Sequence, residues 1–110
     1  MVKICTDPIT PEELTALAQE IGGFYIKVVV DLEKQVLAAG AKMHVDEEES
    51  LIKNGSKKEN LWGSGYDLET KQITYDSIIN NKPGVNQSSD ILDPEIRQMV
   101  ETIIKRLFNI

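Results

Sequence analysis

Residues 93–108, DPEIRQMVETIIKRLF, admit one regular structure. Ile96, Met99, Val100, Ile103, Ile104 and Leu107 recur at i, i+3, i+4, i+7, i+8 and i+11, which places them on a single face of an α-helix. Asp93-Pro94 supplies the start, and Lys105 and Arg106 in the last turn complement the negative end of the helix dipole. A helix with one apolar stripe must bury it against another layer, so the remainder of the chain has to provide an apolar surface.

A second helix of the same kind lies near the N-terminus. Val2 to Cys5 reads as a short first strand that Asp7-Pro8 stops. In Ile9-Thr10-Pro11-Glu12-Glu13-Leu14, Thr10 is the N-cap, Pro11 takes the first helical position and Glu13 completes a capping box, with Ile9 and Leu14 as a hydrophobic staple. Leu14, Leu17, Ala18 and Ile21 form the stripe, and Gly22-Gly23 ends it.

Between the two helices the periodicity changes to that of strands. Phe24 to Leu32 is rich in β-branched and aromatic residues; Phe24, Ile26, Val28, Val30 and Leu32 share one face. A turn at Glu33-Lys34-Gln35 leads into a second strand expected from Val36 to about Val45. The valine run and Gly40 oppose a helix over residues 28–41. Asn54-Gly55 is a strong hairpin signal and predicts strands near 49–53 and 56–60, the second continuing toward Leu68. After a turn at Glu69-Thr70-Lys71, Gln72 to Ile79 forms the last strand. Residues 80–92, NNKPGVNQSSDIL, form a long polar loop, a kind of segment often tied to function. The expected fold is α+β: an antiparallel β-meander of about five strands with an N-terminal and a C-terminal helix packed on the sheet, a two-layer sandwich formed as one domain over residues 1–110.

Charge narrows the classes of partner. The net charge is −6 and the pI about 4.7, without the basic stripe or the domain pI above ~9 that marks nucleic-acid binding. Lys53, Lys57 and Lys58 at one turn, with Lys105 and Arg106 near the C-terminus, read as solvated faces rather than a phosphate site. No segment approaches ~18 uninterrupted apolar residues, and the N-terminus has no signal-peptide core. These features lead to the expectation of a cytoplasmic protein that binds neither nucleic acid nor membrane. Cys5 is the only cysteine, so no intrachain disulfide forms, and a small buried hydrophobe is its expected role.

The less common residues collect between Lys42 and Gly65, which hold the only histidine, the only tryptophan and the acidic run Asp46 to Glu49. On an extended strand His44, Asp46 and Glu48 point the same way and would form an imidazole–carboxylate site for a divalent metal. Such an ion would lower the pKa of bound water for hydrolysis, with Glu47 or Glu59 as general base. The competing reading makes Lys42, His44, Asp46 and Glu48 the wet face of that strand, its acids discouraging edge pairing. Trp62, Ser64, Tyr66 and Leu68 share a face, with Gly63 and Gly65 leaving the other face bare. Trp62 and Tyr66 are then either core residues or a recognition platform. The 80–92 loop brings Asn80, Lys82, Asn86, Ser88, Ser89 and Asp90, which would read a polar ligand or else only connect. Zinc, Walker, dinucleotide-glycine and nucleophile-elbow motifs are all missing.

The order of VVVDLEK (residues 28–34), HVDEE (44–48), NGS (54–56), ENLWG (59–63), DSIIN (76–80) with Pro83, and DPEIR (93–97) resembles a small prokaryotic family catalogued as a domain of unknown function. The resemblance spans nearly the whole chain and implies a stand-alone prokaryotic protein; it brings no activity, cofactor or catalytic residue. From the residues, the first functional expectation is a non-catalytic binding or protein-interaction domain using Trp62, Tyr66 and the 80–92 loop. The alternative is a metal-dependent hydrolase-like enzyme using His44, Asp46 and Glu48. A third is a small regulator whose acidity suits a basic protein partner; a homodimer through a free strand edge is compatible with all three.

Overall fold

The computed structural model describes residues 2–110. Five strands form one antiparallel sheet: β1 (Lys3–Cys5), β2 (Tyr25–Asp31), β3 (Val36–Ala39), β4 (Leu61–Asp67) and β5 (Gln72–Thr74). Three helices accompany them: α1 (Pro11–Glu20), α2 (His44–Lys53) and α3 (Pro94–Phe108). The fold is α+β, with the N- and C-terminal helices where their apolar stripes required them. The strands lie in the order β1-β3-β2-β4-β5, so β2 pairs with β4 rather than leaving β3 to do so.

The capping expected for α1 is present in full. The Glu13 amide donates to Thr10 Oγ1 at 3.1 Å, and the Thr10 amide donates to Glu13 Oε1 at 3.1 Å. Ile9 and Leu14 are both buried, and the Ile9 amide also donates to the Leu107 carbonyl at 2.9 Å, tying the start of α1 to the end of α3. Asp93 caps α3 through the Glu95 amide at 2.9 Å, and Asn109 closes it in the left-handed conformation at φ 58°.

The alternation of β2 distributes the core over two faces. Ile26, Val28 and Val30 meet Leu37, Ala39, Trp62 and Tyr66, and on them sit Leu14 and Leu17 of α1 and Val100, Ile103, Ile104 and Leu107 of α3. Val29 and Ala38 face the opposite way and are covered by Leu51 of α2, with Leu61 beside it.

That second cover is the main departure from the expected layout. The strand beginning at Val36 ends at Ala39, because Gly40 takes φ 92° and breaks the extended run. Residues 44–53 are helix, where the strand end and the first hairpin strand were expected. Asn54-Gly55 serves as the C-terminal stop of α2, with Gly55 at φ 98° and its amide donating to the Ile52 carbonyl at 3.0 Å, instead of a hairpin turn. The segment 56–60 holds only a 3-10 turn at Lys58–Asn60. The last strand, expected to Ile79, ends at Thr74, and a 3-10 turn follows at Ile78–Asn80. No helix among the described residues is long and apolar enough to cross a membrane.

Candidate functional site

The helix at 44–53 rearranges the acidic residues. At 100° per residue, His44 and Glu48 share the buried face of α2 with Glu47 and Leu51, whereas Asp46 is exposed. The convergence of His44, Asp46 and Glu48 required an extended strand, and this segment is not one. Among the described residues no three His, Cys, Asp or Glu side chains are grouped to hold a metal ion.

His44 has a different task. Its Nε2 lies 2.7 Å from the Ser64 carbonyl, which can only accept, so the proton resides on Nε2. Burial lowers the imidazole pKa, with the Ser64 carbonyl opposing. The neighbouring Glu47 is fully buried; its Oε2 accepts the Ala41 amide at 3.0 Å, while Oε1 has no partner among the described residues. Burial pushes the Glu47 carboxyl up to about 9 against the pull of that amide and of Lys27, so it is protonated at neutral pH. Glu48 Oε2 is likewise buried without a partner. Glu59 is exposed on the 3-10 turn.

The outer edge of β4 is finished by side chains. β5 pairs only with Gly65 to Asp67, so the strand edge continues past it to Gly63. There Asn80, fully buried, acts as a substitute strand: its Oδ1 accepts the Gly63 amide at 2.7 Å and its Nδ2 donates to the Gly63 carbonyl at 2.9 Å. The same Nδ2 reaches the carbonyls of Tyr75 at 3.3 Å and Ser89 at 3.2 Å. Asn86, also buried, donates to the carbonyls of Asn80, Ser88 and Asp90 and accepts the Leu92 amide through Oδ1 at 3.0 Å. These two amides organise the whole 76–92 segment, a role in loop architecture that the expectation of ligand-reading side chains did not include. Both glycines of Gly63-Ser64-Gly65 are needed for close approach. A Cβ on Gly63 would lie 2.3 Å from the Ser77 Cβ, and one on Gly65 would collide with the Tyr25 ring, whose hydroxyl bonds Thr74 Oγ1 at 2.6 Å.

Trp62 and Tyr66 are core residues, 3% and 5% exposed. Tyr66 packs edge-on against Phe108 with centroids 6.0 Å apart. The Lys82 Nζ sits 5.1 Å from the Trp62 indole centroid and donates to the Lys58 carbonyl at 3.1 Å. Burial lowers the Lys82 pKa, with Glu48 acting in the other direction.

The pinned segment leaves apolar side chains outside. Ile78 is 80% exposed and Val85 is 71% exposed, and a cleft of about 380 Å³ runs between Val85, Pro83 and Ile79 on one side and Lys58 and Glu59 on the other. Sequence reasoning missed this surface, because it weighed the polar side chains of the loop, and two of those, Asn80 and Asn86, are turned inward. The available signal was Val85, a lone aliphatic within the polar loop, with Ile78 and Ile79 just before it.

The profile of a family described as a protein of unknown function, DUF5674, matches residues 3–107. No curated protein and no solved structure matches the chain.

Proposed function

We propose that this chain, which belongs to the DUF5674 family, is a protein-interaction domain whose contact surface is the outside of the 76–92 segment. The observation that carries the reading is the pairing of two exposed aliphatic side chains, Ile78 and Val85, with a backbone held by the buried amides of Asn80 and Asn86. Exposed aliphatics at a concave surface suit a partner, and a pre-ordered loop spares the entropy of ordering on binding. Although the whole chain is acidic, the cleft lining carries two lysines, Lys58 and Lys82, and one acid, Glu59. The partner that fits is a protein segment carrying an aliphatic side chain next to carboxylates.

The test is site-specific photo-crosslinking in the cells that make the protein, with the reactive residue at Ile78, at Val85, or at the exposed Glu12 of α1 as control. The proposal expects one discrete protein adduct from positions 78 and 85, absent at 12 and lost when Asn80→Ala releases the loop. The same adducts at all three positions, or none at 78 and 85, would remove its basis.

A further inference from the structure

A second concave surface lies away from the 76–92 segment and involves none of its residues. It is a cleft of about 230 Å³ lined by Ile21, Tyr25, Lys27, Ala41 and Lys42. Lys27 belongs to the central strand β2, on the side facing α2, and its cross-strand neighbour on β4 is Gly65. Lys27 is half-buried there, beside the Tyr25 ring that covers Gly65. Among the described residues neither Lys27 nor Lys42 forms an ion pair; the pairs present are Lys3–Glu13 and Lys105–Glu101.

The other polar groups around the cleft are already engaged. The Tyr25 hydroxyl is bonded to Thr74, and the Ala41 amide is occupied by Glu47 Oε2. Glu47 is the carboxyl behind this wall, and it carries a proton at neutral pH. Asp67 and Asp76 also stand close enough to Tyr25 to act on its hydroxyl, yet neither lysine forms an ion pair with them. The two ammonium groups border a space suited to a few heavy atoms, with one aliphatic wall at Ile21. An anion in the cleft would give both lysines a charge-assisted partner.

We propose that this cleft binds a small organic anion, a carboxylate or phosphate held between the Lys27 and Lys42 ammonium groups with its carbon stem against Ile21.

The test is an NMR titration of the intact protein with inorganic phosphate, with butyrate, and with sodium chloride at matched ionic strength. The expected result is saturable movement of the Tyr25, Lys27, Ala41 and Lys42 amide signals with phosphate or butyrate but not with chloride. Tighter butyrate binding identifies a carboxylate with an apolar stem; tighter phosphate binding identifies a phosphate group. Lys27→Met should weaken the affinity about tenfold or more, which corresponds to about 1.4 kcal/mol, whereas Lys105→Met, a lysine of α3 outside this cleft, should leave it unchanged. Should Lys27→Met fail to fold, the exposed Lys42→Met supplies the same comparison. Shifts that track chloride without saturating, or equal affinity in a folded lysine variant, would overturn the proposal.

Discussion

At the residue scale, Asn80 and Glu47 show how a single side chain can govern a segment. Asn80 holds both backbone groups of Gly63 and two further carbonyls. Its loss leaves buried polar groups unpaired, each at a cost of roughly 1–3 kcal/mol. Asn80→Ala should therefore lose about 2–4 kcal/mol in urea unfolding, and Asn80→Asp should fare no better, because the carboxylate keeps the Gly63 amide but turns an acceptor toward three carbonyls. Glu47 makes a pH prediction. Its folded pKa of about 9 lies above the ordinary 4.5, so the folded state holds the extra proton, and stability contributed by this group is fully present below about pH 4.5. That contribution is lost as pH rises toward 9, with a slope of up to roughly 1.4 kcal/mol per pH unit. Denaturation across this window should show the decline in the wild type and a flatter profile in Glu47→Gln. His44 acts with the opposite sign, because its lowered pKa withdraws stability as pH falls below 6.5. Comparing the two proteins at each pH isolates the glutamate.

At the element scale, α1, α3 and β2 were legible because their apolar residues and caps agree with one another. The Thr10–Glu13 box, the Ile96-to-Leu107 stripe and the valine run each state one structure twice. Helix α2 was not legible from hydrophobic periodicity. Its buried face is His44, Glu47, Glu48 and Leu51, so three of the four positions that mark the helical repeat are polar. Charge placement and the C-terminal glycine did carry a signal, although Met43 makes no side-chain cap: Asp46 and Glu47 lie in the first turn, Lys53 in the last, and Gly55 just beyond. Asn-Gly is favoured both in hairpin turns and at helix ends, and the alternation before it tipped the reading toward a strand. The glycines of β4 were noticed as bare backbone, and what fills them, Tyr25 and Ser77, became visible only in the fold. Gly65→Ala should destabilise by about 1–3 kcal/mol through overpacking on the Tyr25 ring. In a double-mutant cycle, adding Tyr25→Ala should recover part of that loss, so that the two costs fall short of adding.

At the scale of the whole molecule, the sheet separates two kinds of surface. One face is sealed by α1 and α3 over an aliphatic and aromatic core. The other is covered by α2 over a core mixed with buried carboxyls and the histidine, and past the end of β5 the 76–92 segment completes the edge of β4 through Asn80. The candidate site was half legible on this scale. Composition marks residues 80–92 as a long polar loop, but the direction each side chain takes depends on the strand edge that the loop completes. Local sequence carries no record of that edge. The loop is an ordered platform and not a free connector, and hydrogen exchange of the native protein measures that directly. The amides of Gly63, Ser77, Asn86 and Leu92 are all bonded within this unit. They should exchange together, close to the rate of global unfolding, and Asn80→Ala should release Ser77, Asn86 and Leu92 while α1 and α3 stay protected. Exchange of those three amides at free-loop rates in the wild type would contradict the account.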